Sequence, residues 1–363
     1  MRHGIKLSGI FNVEQIWLAY SIGILYPLRM QGDLTYPENE TLCQRLTRSI
    51  SGERHGLMGI AIIIVMLYHW RMLGSCSLVV KWYGYFAVEL FLFLSGFGIY
   101  YSLTKASGVR QYYNRRFWRI IPTCIVSGII FLWVHHEALP KLYSFSSVYP
   151  WLAFFGLDVW YIRTIVIYYL MAPVIYHLMQ RLRYPLLGIT LYSAIGYMLL
   201  SFVSMKQCHF DFFVETTVIW SIKRFPAFLA GMYIAHKAGR GGTLAVLSIM
   251  AIMGAVVHTG LTYAVLFQGL GYHVRSNMEI LLFPCWGFVL WGMACCLRHV
   301  GGWLKAGVEW LGKYSLEIFL AHSAIFAMLP RAWWMFPVAC AISLAAAVLV
   351  NRLAKRVCAC FGK

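Results

Sequence analysis

Ten apolar runs, each long enough or nearly long enough to cross a lipid bilayer, dominate this sequence. A helix that spans a hydrocarbon core of about 30 Å needs roughly 20 mostly apolar residues. The runs are Leu57–Leu73, Trp82–Leu103, Phe117–Val134, Trp160–Leu178, Tyr184–Val203, Phe212–His236, Thr243–Phe267, Ile280–Leu297, Tyr314–Leu329 and Trp333–Val350. Lys223, Arg224 and Pro226 interrupt the sixth of them. The pattern predicts an all-α fold, a polytopic membrane helix bundle of about ten transmembrane helices.

The composition agrees with a membrane protein and not with a soluble domain. Of the 363 residues, 60% are hydrophobic and 12% are charged, about half the charged share of an average soluble domain. The ten cysteines do not have metal-ligand spacing, so we expect no metal site. We expect a cytoplasmic or interfacial segment over residues 1–53, with a short apolar stretch at Ile16–Leu28. A ten-helix domain over residues 54–352 and a basic cytoplasmic tail over residues 353–363 follow.

The net charge of +18 indicates membrane topology, because the basic residues lie in short connections between the apolar runs. One alternating set of connections contains Arg45, Arg48, Arg54, Lys105, Arg110, Arg115, Arg116, Arg119, Arg181, Arg183, Lys237, Arg240, Arg298, Lys305, Lys313, Arg352, Lys355, Arg356 and Lys363. The other set contains Arg71, Lys81, Lys141, Lys206, Arg275 and Arg331. The bias of 19 against 6 predicts a multi-pass protein of the cell (inner) membrane with both termini in the cytoplasm. The expected partner is the lipid bilayer and not nucleic acid.

Ionisable residues inside apolar runs are costly in a bilayer and mark functional sites. His69 lies roughly 18 Å along the first run, and Glu89 lies at a matching depth in the second, at 1.5 Å per residue. A histidine that is oriented by a carboxylate can act as a general base. His69 and Glu89 are therefore the candidate catalytic pair. The alternative is that His69, between Tyr68 and Trp70, belongs to an interfacial aromatic belt.

A second histidine, His322, lies near mid-depth of the ninth run, one turn after Glu317. We consider it a candidate substrate-binding residue. The alternative is a hydrogen bond that holds two helices together.

Three arginines, Arg115, Arg116 and Arg119, open the third run. Arginine forms bidentate contacts with phosphate, which makes them candidate ligands of a phosphorylated donor. Alternatively, they only anchor the helix against anionic lipid.

Further charges lie in or beside the fourth and sixth runs. Asp158 and Arg163 lie near the outer end of the fourth run, and Arg224 lies in the sixth. These side chains are candidates for binding a polar acceptor. The alternative is that they pair with one another.

Short motifs follow one another from Arg54 to about Val350. They are Gly56–Ala61 with Leu67–His69, Ala87–Phe97, Asn114–Pro122, Trp160 and Tyr161 with Tyr169 and Pro173, Arg224–Pro226 with Gly231, and Leu311–Leu316 with His322. In this order and spacing they resemble the acyltransferase-3 family of integral membrane acyltransferases, which includes bacterial O-acetyltransferases. The resemblance implies ten helices, a cytoplasmic acyl-CoA donor, and an outer or membrane-embedded acceptor that is commonly a sugar.

The resemblance also implies roles for individual residues. It assigns the family's key histidine to His69, and it makes the three arginines of the third run candidates for donor binding or for structural support of the pocket. The family usually has an arginine eleven residues before that histidine, where this chain has Met58. Arg54 lies one turn earlier on the same face and is the candidate replacement. Glu89 stands where family members usually have aspartate.

From these features we expect acyl transfer, most simply acetyl transfer from acetyl-CoA, to a hydroxyl of an envelope glycan or a lipid-linked sugar. Acetyl-CoA is a donor substrate here, and no permanently bound cofactor is expected. His69, oriented by Glu89, removes the hydroxyl proton, and Trp160 and Tyr161 stack on the sugar. Two alternatives are a membrane transporter or channel, and a catalytically inactive relative, which Met58 favours.

Overall fold

The computed structural model describes residues 40–70, 78–134, 154–155, 159–206, 214–240, 244–267, 277–330 and 332–362. Throughout these ranges the regular structure is helical and contains no strand, which confirms the all-α prediction. The α-helices are α1 (Leu42–Gly52), α2 (Arg54–Trp70), α3 (Leu78–Thr104), α4 (Val109–Val134), α5 (Trp160–Arg181), α6 (Pro185–Met205), α7 (Trp220–Gly239), α8 (Ala245–Phe267), α9 (Phe283–Arg298), α10 (Gly302–Lys313), α11 (Ser315–Met328) and α12 (Phe336–Cys360). A π-helical turn (Glu215–Ile219) precedes α7, and 3₁₀ turns (Met278–Leu282 and Trp333–Met335) precede α9 and α12.

Within the described ranges, six helical segments are long and apolar enough to cross a membrane. They are Phe86–Thr104, Val109–Trp133, Trp160–Arg181, Pro185–Ser204, Met278–Arg298 and Phe336–Cys360. α1 and α2 together make a further candidate span with a bend of 68°. The chain is therefore a multi-pass membrane protein. The predicted count of about ten is not confirmed, because α7 does not qualify and the apolar segments Ala245–His258 and Ser315–Phe326 are shorter.

Several helices carry large apolar side chains that remain exposed on the surface of the bundle. On α6 and α8 they include Leu187, Leu191, Met198, Leu199, Phe202, Val246, Ile249, Met253 and Val256. Apolar surface of this extent is normal where it faces lipid tails. These two helices therefore lie at the lipid-facing side of the bundle.

The centre of the bundle is the packing of α3 against α7. A Cβ atom at Gly96 would lie 2.0 Å from a carbonyl oxygen of α7, and one at Gly231 would lie 2.1 Å from a carbonyl oxygen of α3. Only glycine lets two helix backbones approach this closely. The close contact fixes α3 and α7 as the scaffold on which charged residues are held in the interior.

A short amphipathic helix, α10, lies in the connection between α9 and α11, where the sequence predicted only basic residues of a cytoplasmic loop. α10 packs closely on α2. A Cβ atom at Gly59 would lie 1.9 Å from the carbonyl oxygen of Val308, and one at Gly312 would lie 1.8 Å from that of His55. The opposite face is open, and Trp303 is 83% exposed. A helix of this kind is suited to lie along a membrane surface.

The bend between α1 and α2 is held by an ion-pair cluster at Glu53. Its carboxylate accepts a hydrogen bond from Lys305 Nζ at 2.8 Å and lies 3.9 Å from Arg298 Nε. Residues on one face of α1 join the bundle core, namely Cys43, Leu46 and Ile50. The predicted interfacial stretch at Ile16–Leu28 lies outside the described residues.

Candidate functional site

Two histidines from α2 and α11 meet in the bundle. His69 Nδ1 lies 3.0 Å from His322 Nε2 and 3.0 Å from the carbonyl oxygen of Val65. His322 Nδ1 lies 3.0 Å from the carbonyl oxygen of Ile318, and the His322 side chain is buried. Each ring is thus fixed by a carbonyl one turn earlier on its own helix.

These contacts favour one assignment of protons to the ring nitrogens. A carbonyl oxygen can only accept, so both Nδ1 atoms carry hydrogen in the neutral rings. The Nδ1–H of His69 then donates towards Val65 O and His322 Nε2, and His322 Nε2 accepts. His69 Nε2 consequently holds the lone pair, which is the state that a general base requires.

An arginine-lined pocket lies between the same two helices and their neighbours. Its cavity volume is about 80 Å³, and it is lined by Arg54, Met58, Phe91, Ser95, Arg119, Ile120, Tyr161, Ile165, Tyr169, Ser315, Leu316 and Phe319. Arg54 and Met58 line it together, as their spacing of one helical turn predicts. This volume admits a small group or a few waters but not a whole acyl-CoA.

The arginines differ in their surroundings. The Arg54 guanidinium lies beside Gly98 of α3, where a Cβ atom would be 2.9 Å from its Nη2. Arg116 packs over the rings of Tyr112 and Tyr169, at 5.7 and 5.5 Å from their centroids. In the described part of the chain, the buried Nε atoms of Arg54 and Arg116 have no hydrogen-bond partner. Donors of this kind are suited to receive an anion.

The other two arginines of the third run are both exposed. Arg119 lines the pocket, whereas Arg115 does not. Of the predicted cluster, therefore, only Arg119 lines the pocket, while Arg116 packs on the lining residue Tyr169 and Arg115 belongs to neither group.

Glu89 is buried on α3 and lies against α7. Its Oε1 is 3.7 Å from Arg224 Nε, and both side chains are almost completely buried. The Arg224 guanidinium also lies 4.9 Å from the ring centroid of Trp160 and 5.5 Å from that of Trp220. Burying a carboxylate at this position requires a partner, and Arg224 supplies it. The contact that the structure gives Glu89 is thus with Arg224, and its predicted pairing with His69 stays a prediction.

A second buried polar group lies beside this ion pair. Lys223 Nζ is 3.2 Å from Glu279 Oε2. Arg163 donates a hydrogen bond of 2.7 Å from Nη2 to the hydroxyl of Thr216, in the π-helical turn. Asp158 lies outside the described residues. Among the predicted acceptor-binding residues, Trp160 and Arg224 meet, while Arg163 lies on the same helix as Trp160 and contacts the turn before α7.

Two of these polar residues, Glu279 and Thr216, were not predicted from the sequence. Glu279 directly precedes the eighth apolar run, so an ionisable residue at the edge of a span was the available signal. Thr216 carried no such signal. Its importance follows from the π-helical turn, which the sequence did not indicate.

Glu317, predicted beside His322, has a partner on the last helix. Asn351 Nδ2 donates a hydrogen bond of 2.6 Å to Glu317 Oε1. This contact joins α11 to α12 and supports the interpretation of Glu317 as a residue that holds the bundle together. His322 contacts His69 in addition to its own helix, so the two predicted polar residues of α11 have different roles.

The fold and the site together define a multi-pass membrane protein in which a pair of histidines, the half-buried His69 and the buried His322, lies near an arginine-lined pocket. Residues 55–352 match the model of the acyltransferase-3 family, described as an acyltransferase domain. The chain belongs to this family and is a membrane acyltransferase. No characterised protein and no solved structure gave a significant match.

Proposed function

We propose that this acyltransferase moves an acyl group, in particular an acetyl group, from cytoplasmic acyl-CoA to a hydroxyl of an envelope carbohydrate or a lipid-linked sugar. The observation that carries the proposal is that one helix, α2, contributes Arg54 to the basic pocket and also carries His69. Arg54 and His69 lie fifteen residues apart on one helix, roughly 22 Å at 1.5 Å per residue. An elongated donor, with phosphates at one end and a thioester at the other, suits such a separation.

In the proposed mechanism, His69 is the general base. Its Nε2 takes the proton of the acceptor hydroxyl while the hydroxyl oxygen attacks the carbonyl carbon of the thioester. The C–S bond breaks, the acyl group stays on the acceptor oxygen, and the proton passes to the CoA sulfur. His322 orients the His69 ring and accepts its Nδ1–H. The described contacts favour His322 over Glu89 for this orienting role, because Glu89 pairs with Arg224.

At the donor end, we propose that Arg54, Arg116 and Arg119 bind the phosphates of CoA. Arg54 substitutes for the arginine that family members usually have at Met58. The unpartnered Nε atoms of Arg54 and Arg116 support this role, as does the lining of the pocket by Arg119. We give Arg115 a supporting role at most.

At the acceptor end, we propose that Trp160, Arg163 and Arg224 contribute to a sugar-binding surface, together with Asp158, whereas Tyr161 lines the donor pocket. Trp160 and Arg163 begin α5, next to Arg224 on α7. Aromatic faces and fixed hydrogen-bond donors are the groups that orient a polar ligand. The acceptor class itself rests on the family resemblance.

The decisive experiment follows radiolabelled acetyl-CoA in membranes of the source cells that contain this protein. We expect label to enter an envelope carbohydrate or lipid-linked sugar, and His69→Ala at equal abundance to stop the transfer. Absence of label in every envelope fraction with the unaltered chain would support the alternative of an inactive relative.

The donor site is tested by a matched pair of variants. Arg119→Ala removes an arginine that lines the pocket, and Arg115→Ala removes a likewise exposed arginine one turn earlier on the same helix that does not line it. We expect Arg119→Ala to raise the donor KM more than Arg115→Ala does, with little effect on the acceptor KM. Equal effects would assign these arginines to membrane anchoring.

We propose that both termini face the cytoplasm, as the 19-to-6 charge bias predicts. A membrane-impermeant thiol reagent added outside should label Cys208 and should not label Cys360, which is exposed near the end of α12. The reverse labelling would invert the orientation and remove the donor from the cytoplasmic side.

A further inference from the structure

Three aromatic rings lie together in the wall of the arginine-lined pocket. Phe91 of α3, Tyr161 of α5 and Phe319 of α11 all line it. Their ring centroids lie 4.7 Å apart for Tyr161 and Phe319, 6.2 Å for Phe91 and Tyr161, and 6.4 Å for Phe91 and Phe319. Each side chain is less than a tenth exposed. We call this group the aromatic triad.

The histidine pair is next to the aromatic triad, through the contact of Phe319 with His322. Neither His69 nor His322 is among the residues that line the pocket. Phe319 is in contact with His322, at 5.6 Å between ring centroids. Ser315, Phe319 and His322 follow one another at helical spacing on α11, so the pocket, the aromatic ring and the histidine form one continuous stripe.

A general base cannot by itself distinguish water from a sugar hydroxyl, since both present an O–H group of similar acidity. If water reaches the thioester beside His69, its oxygen attacks the carbonyl carbon and the C–S bond breaks. The products are then a free carboxylic acid and CoA. Excluding water is therefore a requirement for transfer, and closed sites meet it with apolar walls.

We propose that the aromatic triad is a water seal between the donor pocket and the histidine pair, and that Phe319 decides whether the acyl group is transferred or hydrolysed. This inference rests on the proposed function. The narrow arm of the donor parts the rings to bring its thioester to His69, and the rings close around it. The pocket, with its two arginines and Ser315, stays hydrated, and the closed rings keep the water of the pocket away from the histidine pair.

The test measures CoA release from acetyl-CoA by the purified full-length protein in lipid vesicles without any acceptor. Phe319→Ala opens a ring-sized gap next to a polar, hydrated pocket. We expect acceptor-free hydrolysis to rise about tenfold, a lowering of the barrier by about 1.4 kcal/mol. Adding His69→Ala should remove this hydrolysis, because water then lacks its base.

Phe326→Ala is the matched control. Phe326 lies on the same helix, is equally buried and also contacts His322, at 5.6 Å between ring centroids. It faces Trp70 and Phe336 instead of the pocket. We expect Phe326→Ala to leave the ratio of hydrolysis to transfer unchanged, even if it lowers the amount of folded protein.

Two further variants keep the test decisive if Phe319→Ala does not accumulate. Phe319→Leu and Phe91→Leu retain apolar bulk and should give smaller increases in hydrolysis. Unchanged hydrolysis in all three triad variants, or an equal rise in Phe326→Ala, would overturn the seal. If the unaltered protein transfers label to its acceptor while the triad variants hydrolyse no faster, only the seal is refuted. If it transfers no label at all, the proposed function fails first.

Discussion

The Nδ1 atom of His69 on α2 lies 3.0 Å from the Nε2 atom of His322 on α11, although the two residues are 253 positions apart in sequence. Two neutral rings satisfy these contacts, with each Nδ1–H pointing to a carbonyl oxygen of its own helix and His322 Nε2 accepting from His69. A neutral imidazole orients the His69 ring without adding a charge to the interior. The neutral His322 ring stabilises a protonated His69 less than a carboxylate would. His69 should therefore hold the proton only briefly before it passes to the CoA sulfur.

We predict that His69→Ala lowers transfer by about 10²–10⁴-fold, the usual cost of losing a general base. His322→Ala should cost less, since it only frees the His69 ring to rotate. The double variant should be no worse than His69→Ala, because residues that act as a unit are not additive. The measurement is the initial rate of label transfer at equal membrane abundance. His177→Ala, an exposed histidine of α5, is the control and should be silent; transfer that persists in His69→Ala would refute the mechanism.

We predict that Glu89→Gln mainly lowers stability. Breaking a buried ion pair costs about 3–5 kcal/mol, and here it takes the carboxylate away from Arg224. Thermal unfolding in detergent should show the loss, whereas transfer per folded molecule should fall much less than in His69→Ala. Glu309→Gln is the control, since its partly exposed pair with Lys305 contributes at most about 1 kcal/mol. A large fall in transfer without a loss of stability would instead support Glu89 as the residue that orients His69.

The sequence predicted the all-α membrane fold, which is confirmed, and it singled out polar residues inside apolar runs, but it did not give their partners. Apolar runs identify buried segments, and a charge inside one is conspicuous. Depth alone, however, matched His69 to Glu89, and it does not determine which helices are neighbours. The close contact at Gly96 brings α3 against α7, and this packing places Glu89 beside Arg224.

The helix α10 illustrates a different limit. Its twelve residues are too few to form a span, so a search for apolar runs passes over them. The signal was present as a helical period of large apolar side chains, with Trp303 and Trp310 seven residues apart on one face. What the sequence did not give was the partner of the other face, which is α2.

We predict that Arg54 performs the donor-binding role of the arginine that Met58 replaces. Arg54→Gln should raise the donor KM strongly, because it removes the guanidinium beside Gly98. Adding Met58→Arg should restore a low KM, since Met58 lines the same pocket one turn along α2. Donor titrations at saturating acceptor give both values. Arg48→Gln serves as the control, because Arg48 pairs with Glu40 outside the pocket. If Met58→Arg does not restore the donor KM although the protein is folded, the pocket does not bind the donor.

The last prediction concerns two glycines of α10 in different surroundings. A Cβ atom at Gly312 would lie 1.8 Å from the carbonyl oxygen of His55, and α2 would have to move to admit it. Overpacking of this kind typically costs about 1–3 kcal/mol or more, and the movement would also displace Arg54 and His69, which share α2. Gly312→Ala should therefore lower both the unfolding temperature and the transfer rate per folded molecule.

Gly307→Ala is the matched control, because nothing lies within 4 Å of the added atom. Alanine is also the better helix former, by about 1 kcal/mol. Gly307→Ala should consequently be neutral or slightly stabilising, with normal transfer. Equal behaviour of the two variants in unfolding and transfer assays would mean that the contact between α10 and α2 does not position the site.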